Sequence, residues 1–321
     1  MKRSLLGLTF FLFLFLIVPL FFALLAPMLQ QEDTPDAQPV FESVSFACPD
    51  KLTILQTETG TVITVDLETC VADILSRELS QDTPPEAIKA QAVAARSYLL
   101  SKVYVNAKTS SHPDAMLCDD AAHCISFSFS DKDNGENLTQ ALEETKGEYL
   151  AYENLPARCF YFRISSGKTE SALDVWNLDL PYLPSVDSEA DSRVGTSQSR
   201  VIYPLSAFKT VLKGARHSTE TEASSVIKAI SRTDVGHVKT IQLYNETFTG
   251  EEIKTLFHLK STNFNLRIQN KQAVFEVKGD GHGVGMSMFG ARYMAQNGST
   301  YTEILNHYYP GTASTFLHQT D

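Results

Sequence analysis

The pattern of apolar and polar positions divides the chain before any composition is counted. From Leu5 to Leu29 the run is almost unbroken and carries no charge, long enough to cross roughly 30 Å of hydrocarbon as a helix. Pro19 and Pro27 interrupt it, and proline is tolerated in a spanning helix. Met1-Lys2-Arg3-Ser4 is basic, which keeps that side in the cytoplasm and sends the rest of the chain outside. A cleaved signal peptide is the competing reading. The apolar region is too long for one, and Ala23-Leu24-Leu25-Ala26 is a poor cleavage site. Residues 1–29 are therefore expected to be a cytoplasmic stub and an uncleaved anchor, and the polar, proline-bearing, aperiodic residues 30–45 a linker.

Further along, Leu52 to Leu67 alternates loosely around Glu58-Thr59-Gly60 and predicts a β-hairpin. Asp66 is placed to cap a helix running to about Leu79, with Val71, Ile74, Leu75 and Leu79 on one face. In the loop Ser80 to Pro85, Asp82 or Thr83 could cap the next helix, and Pro85 suits its first turn. That helix, Glu86 to about Tyr104, has Ala87, Ala90, Ala92, Ala94 and Ala95 on several faces, so neighbouring backbones can approach closely and it is expected to be the central buried helix. Paired strands are predicted over 149–164 around Glu153-Asn154, a hairpin over 237–248, a short helix over 250–256 and a strand over 273–278. A glycine loop follows, then a helix over 287–295 stopped by Asn297-Gly298. Thr300 and Glu303 form a capping box for the last helix, which ends before Pro310-Gly311. There is no βαβ rhythm. The expected fold class is α+β, mixed helices and antiparallel hairpins around the Ala-rich helix, with residues 46–321 an extracytoplasmic catalytic domain of one large core or two lobes.

Composition changes the picture in one respect. The net charge is −11, from 27 basic and 38 acidic residues, with no basic cluster beyond Lys2-Arg3. A nucleic-acid partner needs a concentrated positive surface, so that class is excluded.

Four features could carry chemistry. Glu78 ends the first helix, where the negative end of the helix dipole disfavours a carboxylate. The same disfavour raises a carboxyl pKa, as a general acid requires. Taken alone, the position reads more readily as a solvated surface glutamate. Second, Ser165-Ser166-Gly167-Lys168-Thr169 follows a strand and could bind a polar ligand or simply turn. Third, Gly279-Asp280-Gly281-His282-Gly283-Val284-Gly285-Met286-Ser287 holds four glycines in seven residues, which implies positive φ or close backbone approach. His282 suggests that this loop faces a ligand, a structural role being the rival. The spacing fits neither a nucleophile elbow nor a dinucleotide fingerprint. Fourth, His112, Cys118, His123 and Cys124 lie within thirteen residues. Two imidazoles and two thiolates suit tetrahedral zinc with no open position, hence a structural ion. A Cys118–Cys124 disulfide is the rival, permitted outside the cytoplasm; the flanking histidines favour zinc. Cys48 and Cys70 could pair with each other, and Cys159, in a strand, is expected to be a buried free thiol.

Pro85-Glu86-Ala87-Ile88-Lys89-Ala90-Gln91-Ala92-Val93-Ala94-Ala95-Arg96-Ser97-Tyr98 resembles the signature helix of the stage II sporulation protein D family. Gly281 to Ser287 and His307-Tyr308-Tyr309-Pro310-Gly311-Thr312 resemble two further family blocks, in the family's order. The similarity spans about residues 46 to 315. It implies a lytic transglycosylase acting in engulfment during endospore formation on peptidoglycan strands already stripped of stem peptides by a cell-wall amidase, the stage II sporulation protein P. It also implies Glu78 as catalytic acid, with Gln91, Arg96, Ser165, Ser166, His282 and Tyr308 lining or supporting the cleft. The clostridial branch is similar in carrying a His/Cys cluster, which implies zinc on His112, Cys118, His123 and Cys124. Departures are Leu79-Ser80 where the family often has Met-Pro, Ser166 where Gly or Asn is common, and Met288-Phe289 for the usual Gln-Tyr, which removes two polar groups beside the glycine loop. With no second acid indicated, one carboxyl is expected to serve both proton transfers, unlike the carboxylate pair of ordinary glycosidases. Glu86 is the runner-up acid, but a helix's first turn favours its charged form. Two alternatives stand beside this reading: a non-catalytic glycan-binding activator of an amidase, as relatives of this family imply, and a zinc hydrolase.

Overall fold

The hairpin of strands β1 (Lys51–Leu55) and β2 (Val62–Asp66) opens the fold, paired antiparallel from Lys51↔Asp66 to Leu55↔Val62. The computed structural model describes residues 47–109, 112, 114–120, 123–127, 135–216 and 226–317. The expected anchor and linker lie outside the described residues, and among those described no helix is long and apolar enough to cross a membrane. Helix α1 (Leu67–Glu78) starts at Asp66, whose backbone is extended as an N-cap requires but whose side chain makes no capping bond.

Helix α2 (Pro85–Thr109) is longer than the pattern predicts and buried on opposite faces. Ile88, Ala92, Ala95 and Leu99 form one stripe, packed into a core with Leu52, Ile54, Val71 and Leu75. Ala90, Val93 and Ala94 face a second core with Met286, Ile304 and Tyr309. A helix that is apolar around much of its circumference belongs inside a fold, and the alanines let both layers approach its backbone. Fully buried leucines such as Leu75 and Leu99 each contribute roughly 1.5–3 kcal/mol of transfer free energy. Neither residue proposed to cap α2 does so. The Thr83 hydroxyl donates to the Ser80 carbonyl at 2.7 Å, and Asp82 pairs with Arg292.

The short strand β3 (Leu117–Cys118) lies parallel to β1, and α3 (Glu136–Glu144) leads into β4 (Glu148–Tyr152). The hairpin predicted over 149–164 is shorter than expected. Glu153 and Asn154 turn with φ of 50° and 64°, β5 (Leu155–Pro156) pairs with β4, and the chain then leaves that sheet. Beyond it, β6 (Tyr161–Phe162) runs parallel to β13 (Met286–Ser287) instead.

Two short helices, α4 (Ala172–Trp176) and α5 (Glu189–Ser192), precede a third core. It is built from β7 (Gln198–Pro204), α6 (Leu205–Arg216), β8 (Ile227–Arg232), β9 (Val238–Leu243), β10 (Glu246–Thr249), α7 (Gly250–Leu256), β11 (Phe264–Gln269) and β12 (Gln272–Lys278). The strands form two three-stranded antiparallel sheets, ordered β10-β9-β8 and β11-β12-β7. Period two puts Phe264, Leu266, Phe275 and Val277 on the inner face, where they meet Phe208 and Phe257.

After the glycine loop come α8 (Met288–Gln296), α9 (Tyr301–Tyr308) with the predicted capping box, and β14 (Ala313–Phe316), which closes on β4. The four loop glycines 279, 281, 283 and 285 all have positive φ. At Gly285 a Cβ would lie 2.0 Å from the Phe160 carbonyl oxygen, and at Gly281 2.7 Å from Phe162 Cβ. Both reasons the sequence offered for glycine operate here. The described fold is mixed α+β with mainly antiparallel sheets.

Candidate active site

Glu78 is the last residue of α1, because Leu79 turns extended ahead of a loop ending in Pro84-Pro85. Gln91, on the buried face of α2, donates from Nε2 to Glu78 Oε2 at 3.1 Å. The Tyr161 hydroxyl, carried by β6, donates to the same carboxyl. The group stands in the wall of an open cleft of 810 Å³, lined also by Phe162, Arg163, Met288 and Phe289.

Glu78 as a residue keeps solvent access, as a cleft wall must. The dense protein around its carboxyl nevertheless raises the pKa above the ordinary value by desolvation; the bonds from Tyr161 and Gln91 and the charge of Arg77 pull the other way and lose. The direction agrees with the sequence argument, whereas the leading cause is burial rather than the helix dipole. Glu86 is not in this cleft. It accepts from Lys89 at 2.7 Å and from the Tyr301 N–H at 2.7 Å.

Three cations and two further carboxylates share the lining. Arg292 and Asp82 form a two-pronged pair. Asp280 faces Arg163 at 3.5 Å and Lys260 at 3.8 Å. The sequence reading passed over Tyr161, Arg163, Lys260 and Asp280. Tyr161 to Ile164 all line the cleft, so no period-two pattern singles out Tyr161 or Arg163. Lys260 has no sequence signal.

Of the sequence-predicted residues, the structure brings Glu78 and Gln91 together in the cleft; the others do not line it. Arg96 is fully buried, donating to both oxygens of Glu68 at 2.9 and 2.6 Å and to the Glu148 carbonyl at 2.7 Å. Tyr308 is buried with its hydroxyl 3.0 Å from Ser188 Oγ. Ser165 is buried; its N–H donates to Asp191 Oδ2 and its Oγ accepts from the Gly167 N–H. Ser166 accepts from Asn263 Nδ2 at 3.1 Å. His282 turns inward among Trp176, Phe162 and Phe160, at centroid distances of 5.0, 5.6 and 6.1 Å, and its Nδ1 accepts the Val284 N–H. Burial lowers its pKa to about 4, so the ring is neutral at neutral pH. The residue of this loop that reaches the cleft is Asp280.

Behind the loop, Glu170 is buried and accepts from the Thr233 hydroxyl at 2.6 Å, with His237 Nε2 at 3.8 Å. Desolvation raises the Glu170 pKa to about 7 and lowers that of His237 to about 4.

The donor atoms of His112, Cys118, His123 and Cys124 all lie within 4.8 Å of one another. His112 Nε2 is 3.1 Å from His123 Nδ1, and Cys124 Sγ is 3.4 Å from the former and 3.3 Å from the latter. Zinc bonds of about 2.0–2.3 Å in a tetrahedron give ligand–ligand edges of about 3.3–3.8 Å, so the donor set fits zinc. All four are protein ligands, and none lines the Glu78 cleft. The cluster is tied to the fold by Asn106 Nδ2 donating to Cys124 Sγ and by Arg77 Nη2 donating to the Ser126 carbonyl. Among the described residues no disulfide joins Cys48, Cys70, Cys118, Cys124 or Cys159.

Residues 55–152, which contain Glu78, Gln91 and the His/Cys cluster, match the model of a family described as stage II sporulation protein. The chain is 29% identical over 289 residues to stage II sporulation protein D of Bacillus amyloliquefaciens, covering 87% of this chain and 81% of that protein. It is 29% identical over 277 residues to the protein of the same name from Bacillus subtilis strain 168, covering 83% and 79%. The amidase enhancer of Bacillus subtilis is 25% identical over 292 residues, covering 75% of this chain and 40% of that protein. By these matches residues 55–152 carry the stage II sporulation protein domain, and most of the chain is similar to stage II sporulation protein D.

Proposed function

We propose that the chain is a peptidoglycan lytic transglycosylase that cleaves the bond between N-acetylmuramic acid and N-acetylglucosamine in peptide-stripped strands during engulfment. The observation that carries this reading is the single carboxyl of Glu78, held above its ordinary pKa in an open cleft between Gln91 and Tyr161. Protonated Glu78 gives its proton to the glycosidic oxygen as the bond to the muramic anomeric carbon breaks. The muramic 6-hydroxyl oxygen bonds to that carbon and returns its proton to the carboxylate. The product is a 1,6-anhydro sugar, no water is consumed, and Glu78 ends as it began. Gln91 and Tyr161 stabilise the transient carboxylate and hold its orientation. Asp82 and Asp280 are each engaged by cations, which supports a one-carboxyl scheme.

Zinc on His112, Cys118, His123 and Cys124 would be structural, stiffening the loop that Arg77 joins to the end of α1. The segment Leu5–Leu29 would anchor the chain in the cell membrane with the folded part outside, where the amidase that strips the strands, the stage II sporulation protein P, would be its partner. Mass spectrometry of peptide-free strands incubated with the full chain tests the reading: anhydro-muramic ends support it, and ordinary reducing ends would mean a hydrolase. The similarity to an amidase enhancer favours a second reading, a non-catalytic glycan-binding activator. That reading predicts intact strands and full stimulation of the amidase by Glu78→Gln.

A further inference from the structure

The charges lining the cleft do not balance in the way the chain does. The whole chain carries −11, yet inside the cleft Arg292 is matched by Asp82 while Arg163 and Lys260 share one carboxylate, Asp280, at 3.5 and 3.8 Å. With Glu78 protonated, one positive charge is left over. Main-chain bonds as well as ion pairs hold the group together. Asp280 exchanges backbone bonds with Ile164 at 2.8 and 3.2 Å, next to Arg163, and the Gly281 N–H donates to the Lys260 carbonyl at 2.9 Å. The two cationic side chains stay accessible, 74% for Arg163 and 49% for Lys260. Arg163 follows the end of β6, and it lines the same cleft as Glu78 and Tyr161. An anion bound by Arg163 and Lys260 therefore sits in the cleft that holds Glu78.

We propose that Arg163 and Lys260 form a carboxylate-reading subsite for the lactyl group of muramic acid; this rests on the transglycosylase reading of the same cleft. The lactyl carboxylate is the acidic group of the glycan backbone itself. A stem peptide converts it to a neutral amide and a bulky branch, so the subsite selects strands whose lactyl groups are free. A reaction that hydrolyses the lactyl amide must therefore supply this substrate.

The test compares peptide-free strands with the same strands whose lactyl carboxylates have been converted to methylamides. With the full chain, kcat/KM is expected to be about tenfold or more higher on the free acid, the scale of a charge-assisted hydrogen bond. In Arg163→Gln/Lys260→Gln the preference disappears, chiefly through a raised KM on the free acid, and Arg163→Lys restores part of it. Both side chains are on the surface of the cleft, and an unchanged melting temperature shows that folding is intact. A wild-type chain that cuts both substrates equally, or a double variant that keeps the preference, overturns the subsite while leaving the transglycosylase reading standing. Should no strand be cut, equilibrium binding of the two strand types decides. Tighter binding of the free acid, lost in the double variant, upholds the subsite and sinks the cleavage reading; equal binding sinks both.

Discussion

Arg96→Met separates a structural role from a substrate-binding one. The guanidinium is wholly inaccessible and makes three hydrogen bonds, two to Glu68 and one to the Glu148 carbonyl. Methionine fills much of the volume but takes the guanidinium donors from that carbonyl and leaves the Glu68 carboxylate without its cation, with the Gly147 N–H still donating to Oε1 at 3.0 Å. Breaking a buried ion pair costs about 3–5 kcal/mol. Glu68 retains 28% exposure, so water recovers part of its solvation and the lower end, about 3 kcal/mol, applies. That is a large fraction of the 5–15 kcal/mol typical of a folded protein, yet it leaves the variant folded. With a urea dependence of about 2–3 kcal/mol/M, the unfolding midpoint falls by about 1–1.5 M. The assay is urea unfolding followed by far-ultraviolet circular dichroism, beside strand cleavage measured per folded molecule well below the transition. Cleavage should be within a few-fold of wild type. A variant with an unmoved midpoint and abolished cleavage would refute the structural assignment and return Arg96 to the substrate.

Three other outcomes are expected. Tyr161→Phe removes a donor that stabilises ionised Glu78, so its pKa rises; because cleavage needs the protonated form and is lost as pH rises through that pKa, the alkaline limb of kcat/KM moves to higher pH, and an unmoved or lowered limb contradicts the assignment. Elemental analysis should find one zinc per chain, and chelation should lower the melting temperature and open residues 105–127 to protease; a metal whose removal stops cleavage at once with that loop still protected would point to catalytic zinc. Glu170, raised to about 7, is a group whose native form holds its proton longer than the unfolded chain, so it lowers stability as pH rises from about 4.5 to 7, whereas His237, lowered to about 4, makes stability rise between about 4 and 6.5. Glu170→Gln removes the opposing contribution, so thermal stability should climb more steeply with pH between 4.5 and 6.5 than in the wild type, and an unchanged slope contradicts the linkage.

What could be read from the sequence was local. The hairpin before Asp66, the helix ending at Glu78, the Ala-rich helix, the capping box at Thr300 and the stop at Asn297-Gly298 each depend on residues close in sequence. Strand β7, the closing strand β14 and the departure of β6 to pair with β13 depend on partners far along the chain, where period alone cannot choose. The site divides in the same way. Glu78 stood out at a helix end, but its role and that of Gln91 came from the resemblance, whereas Tyr161, Arg163 and Lys260 reach the cleft through tertiary contacts. In the glycine loop the histidine drew attention as the reactive side chain. The positive-φ glycines of that loop instead let Asp280, bridged to Ile164, line the cleft while His282 packs among Trp176, Phe162 and Phe160.

The central claim, that Glu78 alone supplies the proton and takes it back, is tested most directly by comparing the full chain and its Glu78→Gln variant on peptide-free strands by mass spectrometry. The account predicts 1,6-anhydro-muramic ends with the wild type, none with the variant, and an unchanged melting temperature. Anhydro ends that persist in a folded Glu78→Gln chain would contradict it.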